Sequence, residues 1–550
     1  MRLRVTFSLL VLLTGPLAHA DEGPTVNDKL VDRIINREHA VTEDLKRFHP
    51  LVETYVQKLA RRHGRLVPKR DRYYLSLADF SGQLRALRFK SPGLEFLRSA
   101  DEALDSTPNS LSFDPSGFVA MAYPDPFTFD IQHYSFRYVN EEFLGEVRCL
   151  VFEIHPTTMR KHGLFEGRIW VEDKDLTIVR FNGIYKGSNL LGSYFHFDSW
   201  RVNAGPGLWL PAAIYSEELN LPCCGVWKLN WTKFRFKAQT RFWGYDLKHR
   251  GSGKDLARIV VDPSSSIQDR SSSSDALGPF QEKRAWELEG DENVTDKLER
   301  VGLLAPPGEV EKALGTIANN IEVTNNLSIE PKVQYRVLLT SKLESIVLGH
   351  TIIVSRGLLD VLPNETALAE VLAHGLAHVK LGHAADMSYA FADTVMFEPR
   401  ETFRKMRFYQ TKEKEEQARP LAQEWMAKSS YKDSLDSVTR FVVELRRRSF
   451  PIYQLLDSDL GDSAYDIFRA DLVSKRTLKA PNTPDIRALP LGSRILVDPW
   501  TDRTAFLRAG QGEAFSNDQN MPFEVTPMVL YLRRVPESNS AEVSSMGTKN

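Results

Sequence analysis

Cysteine is scarce in this chain: Cys149, Cys223 and Cys224 are the three in 550 residues. That excludes a disulfide framework as the main source of stability. Cys149 could pair with one of the adjacent two, or all three could be unpaired buried thiols. A charge excess of either sign is also missing. The formal net charge is −1, from 71 basic and 72 acidic residues, so nothing points to nucleic acid or an anionic membrane surface as a partner. Long apolar runs are absent beyond the first 20 residues; none approaches the roughly 20 residues that cross a bilayer. The mature chain is therefore expected to have no membrane span. No internal repeat emerges. What is present, 42% hydrophobic residues over this length, suffices for two or three domains with their own cores.

Residues 1–20 read as a secretory signal. Arg2 and Arg4 precede a mostly apolar Val5–Leu13, and Ala18-His19-Ala20 is a small-x-small cleavage site. Export to the periplasm, or secretion, is expected. Residues 21–110 carry charged amphipathic stretches such as Val26–Leu59 and are expected to be mainly helical. From 111 to 250 aromatic and β-branched residues alternate, as in Phe127-Thr128-Phe129-Asp130-Ile131 and Tyr194-Phe195-His196-Phe197. Short runs of this kind, broken by turn residues, predict an antiparallel β domain. Residues 251–300, with Ser264–Ser266 and Ser271–Ser274, read as a solvated linker. A second globular unit is expected over 301–480, followed by a loop and strand extension over 481–550. The expected class is thus α+β and multidomain.

The second unit carries the chemistry. Gln334–Leu339 and Thr351–Val354 read as strands, and Pro363-Asn364-Glu365-Thr366 opens a helix running toward His383. On it lies Ala373-His374-Gly375-Leu376-Ala377-His378. Four residues advance a helix by about 40° beyond a full turn, so His374 and His378 share a face and can close on one metal ion. The zinc-peptidase motif H-E-x-x-H has this spacing, with a glutamate after the first histidine as general base. Here that position is Gly375, which leaves the metal-binding pair without its base. The missing side chain is expected to leave space where water or a ligand could enter. A third ligand must come from elsewhere. His383 would lie about 140° around a continuing helix, poorly placed to join, whereas Glu415 is the better candidate.

The stretch from Val337 to Glu415 resembles the HtpX and CAAX-prenyl-protease group of zinc metallopeptidases. The resemblance rests on Arg356-Gly357-Leu358-Leu359-Asp360, on Leu372–His378, and on Glu415-Glu416-Gln417-Ala418-Arg419, which stands where that group has E-x-x-A-D. It implies a mainly helical zincin-like domain with a small sheet, a Zn²⁺ cofactor, and His374, His378 and Glu415 as ligands. Arg419 replaces the supporting aspartate, and a cation there adds like charge beside a metal, so the zinc could have been lost. Glu416 is an alternative ligand, and Glu370, one turn before His374, is a supporting residue. Phe165–Asp173 leading through Lys174-Asp175 into Leu176–Phe181 resembles the outer-membrane lipoprotein-sorting carriers, which implies a half-barrel with an apolar-ligand face. The same aromatics could instead fill a sheet core.

The expectation that follows is an exported, metallopeptidase-like protein of impaired catalysis that binds peptide or unfolded protein, with Thr351–Val354 as an edge strand able to pair with it. A lost general base costs about 10²–10⁴-fold in rate. Two alternatives stay open: an active zinc endopeptidase with an unconventional base, and a carrier or sensor of apolar or lipid ligands through the β domain.

Overall fold

The computed structural model describes residues 26–62, 65–81, 85–88, 115–125, 127–157, 164–186, 196–222, 233–245, 279–383, 385, 406–469, 491–492, 494–497, 502–506 and 523–535. Residues 1–20, where a signal segment is expected, and Cys223 and Cys224 lie outside them. The chain is α+β, with one large antiparallel sheet, a mainly helical C-terminal unit and two small sheets.

The first helix, α1, spans Val26–Leu45. The expected helical character then stops. Leu51–Arg62 (β1), Arg65–Asp79 (β2) and Arg85–Arg88 (β3) are strands. A short helix, α2, covers Pro115–Ala120. Seven strands follow: Tyr134–Leu144 (β4), Val147–Pro156 (β5), Leu164–Glu172 (β6), Ile178–Lys186 (β7), His196–Gly205 (β8), Leu208–Pro222 (β9) and Lys233–Trp243 (β10). All ten form one sheet in the order β3-β2-β1-β10-β9-β8-β7-β6-β5-β4. β1 thus lies inside the sheet, paired with β2 and β10.

Both faces of β1 are covered, which explains the misreading. Val52 and Val56 enter one hydrophobic core, whereas Leu51 and Tyr55 enter another. Successive side chains point to opposite faces, and a strand buried on both sides loses its polar alternation. The first core packs α1 and α2 against Phe152, Phe165, Phe181, Phe197, Phe236 and Phe242. The aromatics of this domain therefore fill a core. Buried Arg201 of β8 pins α1 there, donating to both carboxylate oxygens of buried Glu38 at 2.7 and 2.6 Å.

The opposite face packs on the C-terminal unit and shares one core with it. The expected linker ends in a helix, α3 (Pro279–Arg300), whose Val294 and Leu298 are buried there; residues 251–278 lie outside the described set. Next come α4 (Glu309–Thr324), β11 (Gln334–Leu338), β12 (Glu344–Leu348), β13 (Thr351–Ser355), α5 (Arg356–Val361), α6 (Glu365–Lys380), α7 (Lys412–Lys428), α8 (Leu435–Arg448), α9 (Tyr453–Leu456), β14 (Asp462–Ser463) and α10 (Ala464–Ile467). Strands β15 (Ile495–Val497) and β16 (Thr504–Phe506) pair near the end. The four-stranded sheet runs β11-β13-β12-β14. Thr351–Ser355 is consequently an inner strand, parallel to β11 and antiparallel to β12, not the edge expected from sequence.

Polar contacts also cross the boundary between units. Glu53 of β1 accepts from the backbone N–H and the hydroxyl of Ser341, and from the Tyr73 hydroxyl. Asp71 of β2 accepts the N–H groups of Gln454 and Leu455 at α9. Residues 523–535 run back across both units. Gln57 bonds the carbonyl of Phe523 and the N–H of Val525, and Arg534 donates to Glu172, the last residue of β6, and to Asp173 just after it. Among the described residues no helix is long and apolar enough to cross a membrane.

Candidate metal centre

Helix α6 starts where Asn364 caps it, its side-chain oxygen accepting the Ala367 N–H at 3.0 Å. Its alanines and leucines are buried almost all round, so the helix runs through the core and carries His374 and His378 with it. Both histidines are buried. Helix α7 is capped by Thr411 and packs along α6, which brings Glu415 onto the pair.

The geometry is tight. Glu415 Oε2 lies 3.1 Å from His374 Nε2, Glu415 Oε1 lies 3.1 Å from His378 Nε2, and the two Nε2 atoms are 3.3 Å apart. Ligands at about 2.0–2.1 Å from a tetrahedral zinc stand about 3.3 Å from each other. Glu415 Oε1 is buried and has no hydrogen-bond partner, and a cation between it and the imidazoles would satisfy it. The three residues could hold a metal ion. Burial raises the Glu415 carboxyl, but the two imidazoles beside it outweigh that and hold it well below the usual carboxylate range.

Residues 345–427 match the family model of peptidase family M48. The matched stretch, which contains His374, His378 and Glu415, is similar to M48 peptidases. M48 metallopeptidases are generally zinc-dependent, in keeping with the donor set. No curated protein matches the chain. Among solved structures, a DUF1329 family protein from Desulfovibrio piger ATCC 29098 is 11% identical, with 42% of this chain and 97% of that one covered at a TM-score of 0.21.

Three neighbours of this centre differ from expectation. The helix does not continue to His383. It ends at Lys380, and Gly382 turns the chain at a φ of +64°, a left-handed conformation that glycine adopts without cost. His383 thereby folds back, its Nδ1 2.9 Å from His378 Nδ1 and its Nε2 3.3 Å from Gln417 Oε1. The network assigns the tautomers. His383 donates from Nε2 to the Gln417 oxygen and accepts at Nδ1 from His378, which leaves the His378 Nε2 lone pair facing the centre. Burial lowers the pKa of both rings, favouring these neutral forms.

Arg419, one turn beyond Glu415, donates to Glu415 Oε2 at 2.6 Å and to the Ile467 carbonyl at 2.9 Å. It is an ion-pair partner of the candidate ligand. Glu416 points away and is exposed, so the structure does not bring it to the centre. Glu370 lines a cleft together with His374 and Arg419, and burial raises its carboxyl pKa.

The third difference is at Gly375. A Cβ there would meet Ile352 Cδ1 at 2.9 Å, Cγ2 at 3.1 Å and Cγ1 at 3.2 Å. The space expected beside the metal is filled by the side chain of β13. Ile352 carries no sequence signal as a site residue, because its role depends on a strand packing over a helix far along the chain. Asp462 was also missed. It is buried on β14, accepts the Gln410 N–H at 2.9 Å, and has its pKa pushed up to about 7 by burial, with Glu415 adding to the rise.

Proposed function

We propose that this protein is an exported, metallopeptidase-like protein whose catalytic power is impaired, and that it uses the M48 centre to bind peptide or unfolded protein. One observation carries the reading. The place of the general base holds a glycine, and Ile352 fills the room a side chain would need. A glutamate cannot enter without that strand residue giving way. Signal-like residues 1–20 support the exported state.

A zinc ion held by His374, His378 and Glu415 would polarise a substrate carbonyl. The residues of this chain do the rest. His383 and Gln417 fix the His378 ring. Arg419 holds Glu415 in place while opposing the charge of any cation. No glutamate follows His374 to take a proton from water.

A second reading, an active endopeptidase with an unconventional base, draws support from Glu370 and Asp462, two carboxyl groups with raised pKa near the centre. General bases work best with a pKa near the operating pH. An apolar-ligand carrier has less support, since the aromatic face of the β domain is packed against α1.

Elemental analysis of the mature protein, beside a His374→Ala/His378→Ala control, tests the metal. Degradation of unfolded casein tests the catalysis. The proposal expects near-stoichiometric zinc in the wild type, none in the control, and no chelator-sensitive cleavage by the wild type or by Gly375→Glu. Adding Ile352→Ala to Gly375→Glu is expected to give cleavage. Chelator-sensitive proteolysis by the wild type, abolished by His374→Ala, would overturn the impaired-catalysis reading in favour of the second.

A further inference from the structure

We infer that the β1–β2 hairpin, together with the turn between α8 and α9, docks this protein on an anionic lipid surface. The net charge of −1 conceals a local excess. From Lys58 to Arg72 the chain holds seven basic residues and one acid. That acid is already committed: Asp71 is buried and accepts from Gln454, Leu455 and Tyr55. Arg61, Arg62, Lys69 and Arg70 are exposed. The register sets like charges opposite one another, Lys58 against Arg70 and Arg62 against Arg65. Such cross-strand pairs are destabilising, and an acid at any of these positions would relieve them. The hairpin keeps its charge at a cost in stability, which an anionic partner offsets.

Two aromatic side chains stand beside this charge. Phe450 is 71% exposed in the turn after α8, and Tyr453, the first residue of α9, is 58% exposed. The turn is fixed at both ends. Just after it, the N–H groups of Gln454 and Leu455 bind Asp71. Just before it, Arg448 pairs with Glu524, whose neighbours Phe523 and Val525 bond Gln57. Gln57 and Asp71 are opposite one another in the hairpin, so the aromatics lie at the rung from which the basic strands run on to their tip. An anionic membrane surface recognises this combination. Its headgroups attract Lys and Arg, each gaining about fivefold in binding, while aromatic rings sit at the boundary between headgroups and acyl chains. A single-stranded nucleic acid would use the same cations, but it tracks a groove in which bases stack on the aromatics, and two exposed rings on a turn form no groove. The contact needs no membrane span and is independent of the metal centre.

The test is flotation of the full mature protein with vesicles of equal parts phosphatidylglycerol and phosphatidylcholine, or of phosphatidylcholine alone. Binding to the anionic vesicles is expected to fall steeply with salt, and the neutral vesicles are expected to float without protein. Arg61→Gln/Arg62→Gln/Lys69→Gln is expected to weaken binding by about a hundredfold, with zinc content and thermal unfolding temperature unchanged. Phe450→Ser/Tyr453→Ser is expected to weaken it by about tenfold while its salt dependence persists. Equal flotation with both vesicle types, or full binding by either variant, overturns the inference and leaves the peptide-binding reading intact. Oligothymidine that binds as tightly as the anionic vesicles, and equally well to Phe450→Ser/Tyr453→Ser, overturns the lipid assignment in favour of a nucleic acid.

Discussion

Adding a methyl group at residue 375 sets two effects against each other at one point. Glycine within a helix costs about 1 kcal/mol relative to alanine, so Gly375→Ala should gain that amount if the site were open. It is not open: the new Cβ would stand 2.9–3.2 Å from three atoms of Ile352, whose side chain is wholly buried. Overpacking of this kind costs about 1–3 kcal/mol, so the net effect is a loss of about 0–2 kcal/mol. Ile352→Ala alone removes a buried side chain and should cost about 2–5 kcal/mol. In the double variant the clash is gone and the methyl group partly refills the cavity, so Gly375→Ala becomes stabilising by about 1 kcal/mol. The two changes should therefore be coupled by about 1–3 kcal/mol. Urea unfolding of the four proteins, followed by tryptophan fluorescence and compared through midpoints at a common slope, measures this. Additivity within about 0.5 kcal/mol would refute the claim that Ile352 occupies the space beside Gly375.

Other outcomes follow from the same contacts. His383→Ala should weaken zinc binding about 10–100-fold by releasing the His378 ring, read by competition with a chromophoric chelator; unchanged affinity would remove His383 from the centre. Breaking the buried pair with Glu38→Gln should destabilise the β domain by about 3–5 kcal/mol, since Arg201 is left buried and unpaired, and thermal unfolding by circular dichroism would report it. Burial pushes the Asp71 carboxyl up to about 6 from 3.8, against opposing hydrogen bonds from Gln454 and Leu455. The folded state thus binds this proton more tightly, and its contribution is full below pH 3.8 and lost as pH rises through 6. Asp71→Asn should flatten that dependence by about 3 kcal/mol across the window, measured as the difference in urea stability between pH 4 and pH 7.

Where sequence and structure agree, the signal is local. The helix start at Asn364 and the four-residue spacing of His374 and His378 both act within a turn or two of helix. Glu415 came from the family-like text, and α7 packing against α6 puts it 3.1 Å from both rings. Where they part, the cause is tertiary. β1 is covered on both faces, so Leu51–Leu59 showed none of the alternation that marks a half-exposed strand. His383 was placed on an ideal helix, but the helix stops and the positive φ at Gly382 returns the ring to His378. Thr351–Val354 was expected at an edge because nothing local reveals that β11 and β12 flank it. Ile352 and Asp462 belong to segments that meet the centre only after the chain has folded.

The strand order has a consequence for how this protein is made. β1 is joined by hydrogen bonds to β10, so Leu51 must wait for Trp243 to be synthesised before the sheet can close. Gln57 waits longer, for Phe523 and Val525 near the other end. Contacts so far apart in the chain are slow to form, because the intervening loop must be closed before any contact rewards it. During that interval β1 and β2 form a hairpin with apolar residues on both faces and one unpaired edge, a natural target for holding chaperones or for misassembly. Removing the last thirty residues would accordingly harm the beginning of the chain as much as its end.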